Sequence, residues 1–319
     1  GIIKNKKKER KISKEPVNDI NKYVIDINEY EVIKMIGSGS YSIVYEVMHK
    51  TSKKIFAAKS LAKDPNGDLF TIDNNEINIM KKLDYPTIIK FYGYSLKDFD
   101  NKDGMTIFLQ FAPNKTLNEY YIELSKHGKK ILNNTELQII LIGICAGMQY
   151  LHQHKIMHRD LKPTNIVLDE NNLPMITDFG IAKYHVNDAT HTQGAGSPAY
   201  MAPEVLSGEK YNLLADVYSF GMTLYQLLAG KNPLFKMRYV RIIKFVTENG
   251  RPAFDFPIKQ SFKNLIEKCL SQNPTERYTF EQLTKMLAYD KNYYLDDVDV
   301  EKVFKYANDV LKIPKWIIL

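Results

Sequence analysis

The sequence predicts an α+β protein with two lobes: a small five-stranded antiparallel sheet with one main helix, and a large, mostly helical lobe. Short alternating apolar patterns fill residues 30–111, and helical patterns dominate from Thr116 onward. The 319 residues are 44% hydrophobic and 25% charged, which is typical of a globular chain with a substantial core. We expect a leader over residues 1–25, the small lobe over 26–111, the large lobe over 112–288 and a tail over 289–319.

The small lobe is predicted from five strand patterns and one helical pattern. The strands are Tyr30–Ile36, Ile43–Met48, Ile55–Ser60, Ile88–Leu96 and Met105–Phe111, and the helix is Leu69–Leu83. Gly37 and Gly39 lie in the turn between the first two strands, where the missing Cβ lets backbone amides approach phosphate oxygens. A plain hairpin turn is the alternative for this pattern alone.

The formal charge of +7 is concentrated at the N-terminus, because residues 1–14 carry seven Lys or Arg and one Glu. We expect a disordered, solvated leader, with weak contacts to acidic lipid, nucleic acid or a targeting factor as the alternative. The remainder is nearly neutral, so no nucleic-acid partner is expected.

The chain has two cysteines, Cys145 and Cys269, and both lie in apolar helical patterns. They are predicted to be buried free thiols in a reducing compartment. The longest apolar run, residues 137–151, is too short to span a bilayer, and no apolar stretch follows the basic leader. We therefore expect no transmembrane segment or signal peptide and a cytoplasmic location, with nuclear entry also open.

A cluster of polar residues in the middle of the chain predicts a catalytic site. Asn165 comes just before the predicted strand Ile166–Leu168, and Asp178 comes just after Met175–Thr177. A hairpin with its turn at Asn171-Asn172 would bring the amide oxygen and the carboxylate together, as Mg²⁺ requires. Asp160 is then able to face a substrate hydroxyl.

The motif His158-Arg159-Asp160-Leu161-Lys162-Pro163-Thr164-Asn165, followed by Asp178-Phe179-Gly180, resembles the catalytic and magnesium-binding loops of eukaryotic protein kinases. The resemblance covers about residues 30–287 and implies the bilobal protein kinase fold, with ATP and Mg²⁺ as cofactors. It implies that Asp160 orients the substrate hydroxyl, that Lys162 meets the γ-phosphate, and that Asn165 and Asp178 bind magnesium. Lys59 would contact the α- and β-phosphates, and Glu76 would hold the Lys59 ammonium.

The resemblance also implies a nucleotide site. Its residues would be Ile36, Gly37, Ser38, Gly39, Ser40, Val44, Ala57, Lys59, Leu109, Gln110, Phe111, Ala112, Val167 and Asp178. Within this set Gln110–Ala112 would be the hinge that binds adenine, and Leu109 would guard a deeper pocket. Core packing is the alternative for the apolar members. The third glycine of the family pattern is Ser42 here.

The segment between Lys183 and Gly196 resembles a kinase activation segment, because it ends before Ser197 and the family's Ala202-Pro203-Glu204. We expect phosphorylation of Thr190 or Thr192 by an upstream kinase to order it through Arg159, with ordinary loop hydroxyls as the alternative. Ser197 is expected to be structural, with its hydroxyl bridging Asp160 and Lys162.

Two buried charged contacts are also implied by the resemblance. Asp216 would accept backbone amides of the catalytic loop, and Glu204 would form a bidentate pair with Arg277. The tail beyond Ala288 either packs on the large lobe or begins a further region. Three histidines lie close together in the sequence, His152, His154 and His158. Positions i and i+2 of a helix face different sides, so no metal site is predicted from them.

Lys162 and Gly196–Tyr200 resemble the serine/threonine-specific pattern, with tyrosine-kinase-like character in places. The predicted substrate is a protein Ser or Thr hydroxyl, without a strong arginine requirement, because Thr116 and Thr164 stand where basophilic kinases carry acids. A pseudokinase that binds nucleotide and partners without catalysis is the main alternative, and a dual-specificity kinase is a further one. A pseudokinase would be expected to lose Lys59, Asp160, Asn165 or Asp178, and all four are present.

Overall fold

The computed structural model describes residues 21–39, 42–61, 75–119, 132–180, 182–184, 197–234 and 236–312. The chain divides into two compact units. The first lies within residues 1–70 and 92–109, and the second comprises residues 71–91 and 110–319. The predicted α+β, two-lobe class is confirmed.

The first unit is built on the five-stranded sheet, whose order is β1-β2-β3-β5-β4. The strands are β1 (Tyr30–Ser38), β2 (Ser42–His49), β3 (Ile55–Leu61), β4 (Phe91–Lys97) and β5 (Asp103–Gln110). All five predicted strands are present, but β4 begins at Phe91 rather than at Ile88. The reason is that Ile88 and Ile89 instead pair with Ile176 of the second unit, where the Ile89 N–H donates to the Ile176 carbonyl at 2.9 Å.

Residues 21–29 cover part of this sheet, so the prediction of a disordered leader is wrong for residues 21–25. The Ile25 N–H donates to the Tyr94 carbonyl at 2.8 Å. Gly93 permits this approach, since a Cβ there would lie 2.4 Å from the Tyr23 carbonyl oxygen. Ile27 is buried in an apolar cluster of the sheet with Val47, Phe56, Ala58 and Phe108.

The second unit is mainly helical, as predicted. The α-helices among its described residues are α1 (Asn75–Met80), α2 (Asn134–Gln153), α3 (Pro203–Leu206), α4 (Leu214–Ala229), α5 (Tyr239–Thr247), α6 (Gln260–Cys269), α7 (Phe280–Tyr289) and α8 (Val300–Lys305). A π-helix, Tyr306–Val310, follows α8. Its short strands are β6 (Ile156–Met157), β7 (Ile166–Leu168), β8 (Pro174–Ile176) and β9 (Lys183–Tyr184). Helix α1 ends at Met80 rather than at the predicted Leu83, and the start of that prediction lies outside the described residues.

Helix α2 is the buried centre of this unit. Asn133 caps it, with its side-chain oxygen accepting the Glu136 N–H at 2.9 Å and Glu136 accepting the Asn133 N–H at 2.8 Å. This reciprocal pair is a capping box. Cys145 on α2 and Cys269 on α6 are buried free thiols, as predicted. In the described part of the chain, no helix combines the length and apolar character needed to cross a membrane.

The described part of the predicted tail, residues 289–312, packs on the second unit. The Asp299 N–H donates to the Thr135 hydroxyl at 2.8 Å, and the Leu295 N–H donates to the Gln138 side-chain oxygen at 3.1 Å. Further along, Tyr306 is only 5% exposed. Packing on the second unit is one of the two alternatives predicted for the tail, and it describes these residues.

Candidate active site

The catalytic loop runs from His158 to Asn165 between β6 and β7, and Asp216 of α4 fixes its start. The buried Asp216 carboxylate accepts the His158 N–H at 2.9 Å and the Arg159 N–H at 2.8 Å. Arg159 has a φ of +70°, so the chain turns sharply at this point. The predicted contact between Asp216 and the loop amides is confirmed.

Asp216 is kept ionised by its partners. Burial alone would raise the pKa of its carboxyl. His152 opposes this effect most, through its charge and through a hydrogen bond in which its Nε2 lies 3.0 Å from Asp216 Oδ2. The charge of His158 and the Arg159 backbone amide act in the same direction. Together they outweigh burial, so the pKa of Asp216 lies below its ordinary value of 3.8. The loop is thus held by a full negative charge.

Asp160 is held by three hydrogen-bond donors. Its Oδ2 accepts from Lys162 Nζ at 2.6 Å and from Asn165 Nδ2 at 3.0 Å, and its Oδ1 accepts the Ser197 backbone N–H at 3.0 Å. Its side chain is 11% exposed. These bonds fix the carboxylate in one orientation while leaving it accessible.

The expected role of Ser197 needs correction. Its hydroxyl lies 2.5 Å from Lys162 Nζ, but the group that Ser197 offers to Asp160 is its backbone amide rather than its hydroxyl. The bridging group is the Lys162 ammonium, which bonds to both the carboxylate and the hydroxyl because it carries several donors. Ser197 still connects the end of the activation segment to the catalytic loop.

The predicted hairpin is present and joins the two proposed metal ligands. Strands β7 and β8 are antiparallel, and the Thr177 N–H donates to the Asn165 carbonyl at 3.0 Å. Strand β8 ends one residue earlier than predicted, at Ile176. Asn165 Nδ2 also donates to the Asp160 carbonyl at 2.8 Å, so the amide group is oriented through its nitrogen and its oxygen is the atom able to bind a cation. An amide oxygen with the Asp178 carboxylate fits the ligand preference of Mg²⁺.

Glu76 lies beside the Asp178-Phe179-Gly180 motif. A Cβ on Gly180 would be 3.5 Å from Asp178 Oδ1 and 3.7 Å from Glu76 Oε2, so both carboxylates approach the same glycine. Asp178 has a φ of +66°, a conformation that short polar side chains tolerate better than most. The pairing of Glu76 with Lys59 stays a prediction.

Four of the nucleotide residues predicted on the first unit, Gly37, Val44, Ala57 and Lys59, share one face of its sheet. Val44 on β2 lies opposite Gly37 on β1 and opposite Lys59 on β3, which forms a row across three strands. Ala57 lies two residues before Lys59 and therefore faces the same side. Phe56 and Ala58 lie on the other face, in the apolar cluster under residues 21–29.

The other predicted nucleotide residues are distributed as follows. Ile36 and Ser38 lie in β1, and Gly39 follows this strand. The Gly39 N–H donates to the Ser42 carbonyl at 2.7 Å, which closes the turn. Ser40 lies outside the described residues. Leu109 is buried near the end of β5. On the second unit, the Gln110 N–H donates to the Lys90 carbonyl at 2.9 Å. Phe111 and Ala112 are half-buried, and Val167 lies in β7. The Gln110 backbone N–H is therefore already donated within the protein, and the binding of adenine by residues 110–112 stays a prediction.

Of the regulatory residues, Thr190 and Thr192 lie outside the described residues. The Arg159 guanidinium carbon lies 5.8 Å from the centre of the Tyr211 ring. Burial raises the pKa of Tyr211, although Arg159 opposes this shift. Sequence reasoning missed Tyr211, because no motif marks the position.

Sequence reasoning also gave His158 no role beyond excluding it as a metal ligand. Its Nε2 lies 3.0 Å from the Thr177 carbonyl oxygen, and its ring meets that of Phe179 edge to face at 5.3 Å. It thus ties the catalytic loop to the strand that leads to Asp178. The sequence signal was its place directly after the apolar pair Ile156-Met157 and directly before Arg159.

The predicted pair of Glu204 and Arg277 is confirmed as bidentate and buried. Arg277 Nη1 lies 2.6 Å from Glu204 Oε1, and Nη2 lies 2.8 Å from Oε2. Arg277 also donates to the carbonyls of Ser271 at 2.9 Å and Leu214 at 3.1 Å. Four donated bonds therefore connect α3, α4 and the turn before α7.

The profile of the protein kinase domain matches residues 30–287. Among curated proteins, the chain is 30% identical over 256 residues to serine/threonine-protein kinase pakH of Dictyostelium discoideum. It is 32% identical over 263 residues to serine/threonine-protein kinase ATG1b of Arabidopsis thaliana and 30% identical over 257 residues to serine/threonine-protein kinase hippo of Drosophila melanogaster. Each match covers 80% of this chain but only 48%, 36% and 37% of the respective relative, so the chain spans between about a third and about half of their lengths. The chain belongs to the protein kinase family.

Proposed function

We propose that this chain is a serine/threonine protein kinase that transfers the γ-phosphate of ATP to Ser and Thr hydroxyls of proteins. The observation that carries the proposal is the fixed carboxylate of Asp160, with bonds from Lys162, Asn165 and the Ser197 amide. A carboxylate so oriented can direct a substrate hydroxyl, which is the main task of the protein in phosphoryl transfer.

In the proposed reaction, the substrate oxygen attacks the γ-phosphorus, the bond to the leaving oxygen of ADP breaks, and Asp160 accepts the hydroxyl proton late. The Lys162 ammonium lies 2.6 Å from Asp160 Oδ2 and would also stabilise charge on the transferred phosphoryl group. Asn165 and Asp178 would hold Mg²⁺, which when bound neutralises charge on the phosphates. Gly37, Val44 and Lys59 would bind the nucleotide phosphates and base.

Specificity for Ser and Thr is supported by the names of the relatives and by Lys162 in the catalytic loop. We further propose that an upstream kinase activates the chain by phosphorylating Thr190 or Thr192. The negative charge would pair with Arg159, whose backbone position Asp216 fixes. Replacing both threonines by Ala should then abolish activation by that kinase, and an unchanged activated rate would contradict this regulation.

The proposed function is tested by the incorporation of phosphate from ATP, with Mg²⁺ present, into a generic protein substrate. Asp160→Asn should lower the rate about 10²- to 10⁴-fold, as expected for loss of a positioned proton acceptor. Asp255→Asn is the matched control, because Asp255 is an exposed carboxylate paired with Lys231. Phosphoamino-acid analysis should detect phosphoserine and phosphothreonine.

Three results would contradict the proposal. Equal rates for wild type and Asp160→Asn, after treatment with an activating kinase, would favour a pseudokinase. Phosphotyrosine as the main product would exclude serine/threonine specificity. An equal loss in Asp255→Asn would show that the assay responds to any change of charge.

A further inference from the structure

The C-terminal segment, defined here as residues 290–312, lies beyond the part of the chain that matches the kinase profile. It is nevertheless built into the second unit. Tyr306 and Leu311 are 5% and 4% exposed, and Ala307 between them is fully buried. Such burial exceeds what a loosely attached extension requires.

The segment meets the loop that follows α1, residues 81–90, which we call the α1–β4 loop. The Tyr85 hydroxyl donates to the Leu311 carbonyl at 3.3 Å. The Tyr85 ring stacks on Tyr150 of α2 with centroids 4.8 Å apart, and the Asp84 N–H donates to the Tyr150 hydroxyl at 3.1 Å. The loop is therefore held between α2 and the C-terminal segment.

The same loop is bonded to the strand that leads to Asp178. The Ile176 N–H donates to the Thr87 carbonyl at 2.9 Å, and the Ile89 N–H donates back to the Ile176 carbonyl at 2.9 Å. Ile176 is two residues before Asp178. At its other end the loop continues from α1, whose Glu76 lies next to Gly180. Both acids beside Gly180 thus depend on the position of one loop.

One face of α2 receives all these elements because it carries two glycines a turn apart. A Cβ on Gly143 would lie 2.6 Å from both Pro174 Cγ and Tyr306 Oη. A Cβ on Gly147 would lie 2.6 Å from Thr87 Oγ1 and 2.9 Å from Ile176 Cδ1. Residues i and i+4 share a helix face, so the C-terminal segment, the loop and β8 meet on a common surface.

We propose that the C-terminal segment is a positioning element of the active site, with Tyr85 as the positioning residue. Its bond to Leu311 fixes the α1–β4 loop, and the loop in turn fixes Glu76 through α1 and Asp178 through β8. The inference rests on the proposed kinase function, because its catalytic consequence is a faster phosphoryl transfer when the segment is seated. The fold itself does not require the bond, since the loop keeps its contacts with α2 and β8.

Three variants separate this role from general stability. Tyr85→Phe removes the hydroxyl and keeps the stacked ring, and Leu311→Ala removes the side chain that seats the segment. Tyr306→Phe is the matched control, because the buried Tyr306 hydroxyl has no hydrogen-bond partner within the described residues. Each variant is measured by amide hydrogen exchange over residues 81–89 and 176–180, with α4 as the internal reference, and by kcat for phosphate transfer.

We expect exchange over 81–89 and 176–180 to rise about twofold to tenfold in Tyr85→Phe, the range that corresponds to one net hydrogen bond. In Leu311→Ala the rise should be at least as large, because a buried side chain is lost. Exchange of α4 should stay unchanged, and kcat should fall by a similar factor. Tyr306→Phe should match wild type in both measurements. Hydrogen exchange does not depend on catalysis, so the two claims are tested separately. A wild type without Asp160-dependent activity would contradict the proposed function, and the exchange data would still show whether the C-terminal segment holds the loop.

Three outcomes would overturn the inference. The first is unchanged exchange over 81–89 in both Tyr85→Phe and Leu311→Ala. The second is an equal rise in α4, which would indicate general destabilisation. The third is a rise in exchange with an unchanged kcat in an active enzyme, which would leave the segment a structural part without a positioning role.

Discussion

Replacing Glu204 by Gln should severely destabilise the second unit. The side chain of Arg277 is fully buried, and its partner Glu204 is 7% exposed. The amide of Gln keeps the shape of the carboxylate but removes its charge, so the guanidinium charge remains buried without compensation. Removing one partner of a buried pair costs about 3–5 kcal/mol. With about 2–4 °C per kcal/mol for a unit of this size, the melting temperature should fall by roughly 6–20 °C.

The assay is urea and thermal unfolding of four proteins: wild type, Glu204→Gln, the double variant Glu204→Met with Arg277→Met, and Asp255→Asn. The double variant should be more stable than Glu204→Gln, because no uncompensated charge stays buried. It should remain below wild type, because the carbonyls of Ser271 and Leu214 lose their donor. Asp255→Asn should change little, since its pair with Lys231 is exposed. A loss below about 1 kcal/mol for Glu204→Gln would refute the claim that this buried charge depends on its partner.

Three further predictions follow from burial. Gly143→Ala should lower the unfolding free energy by about 1–2 kcal/mol in urea titration, because overpacking against Pro174 and Tyr306 costs more than the higher helix propensity of Ala gains. The control Gly104→Ala should not show this loss, since Gly104 has room for a Cβ. Asp216→Asn should lower the unfolding free energy at neutral pH. Because the folded pKa of Asp216 is depressed, the wild type should keep its full excess stability over the variant above pH 3.8 and lose it as the pH falls through the folded pKa. An excess stability that does not change with pH across this window would contradict the depressed pKa. Burial raises the pKa of both Cys145 and Cys269, so a thiol reagent at neutral pH should modify neither until urea unfolds the chain, and labelling of the native protein would disprove their burial.

The parts of the site that sequence could predict are those in which neighbouring residues determine geometry. Asn165 and Asp178 flank a hairpin of two three-residue strands, so their connection follows from strand pairing alone. The capping box at Asn133 and Glu136 is likewise local, because three residues separate its partners. Such relations need no knowledge of the rest of the fold.

Other parts depend on contacts between distant segments, and these the sequence left open or predicted wrongly. Ile88 has a strand-forming pattern, yet it pairs with Ile176, and no local preference distinguishes that partner from a strand of the sheet. Ser197 shows the same limit at the level of single atoms. Its proximity to Asp160 and Lys162 was predicted, but which of its groups meets which partner depends on backbone orientation. Tyr211 and Tyr85 carry no sequence signal, because an aromatic residue near a helix is ordinarily core.

The packing at both ends of the described chain has a practical consequence for the preparation of fragments. A fragment cut to the profile-matched residues 30–287 would lose Ile27 from the apolar cluster of the sheet, and Tyr306 and Leu311 from the second unit. Each unit would then present apolar surface to solvent that the intact chain covers, which favours aggregation. A recombinant fragment that keeps residues 21–312 should therefore aggregate less than one cut to residues 30–287, and the boundaries of a sequence family are here narrower than the boundaries of the fold.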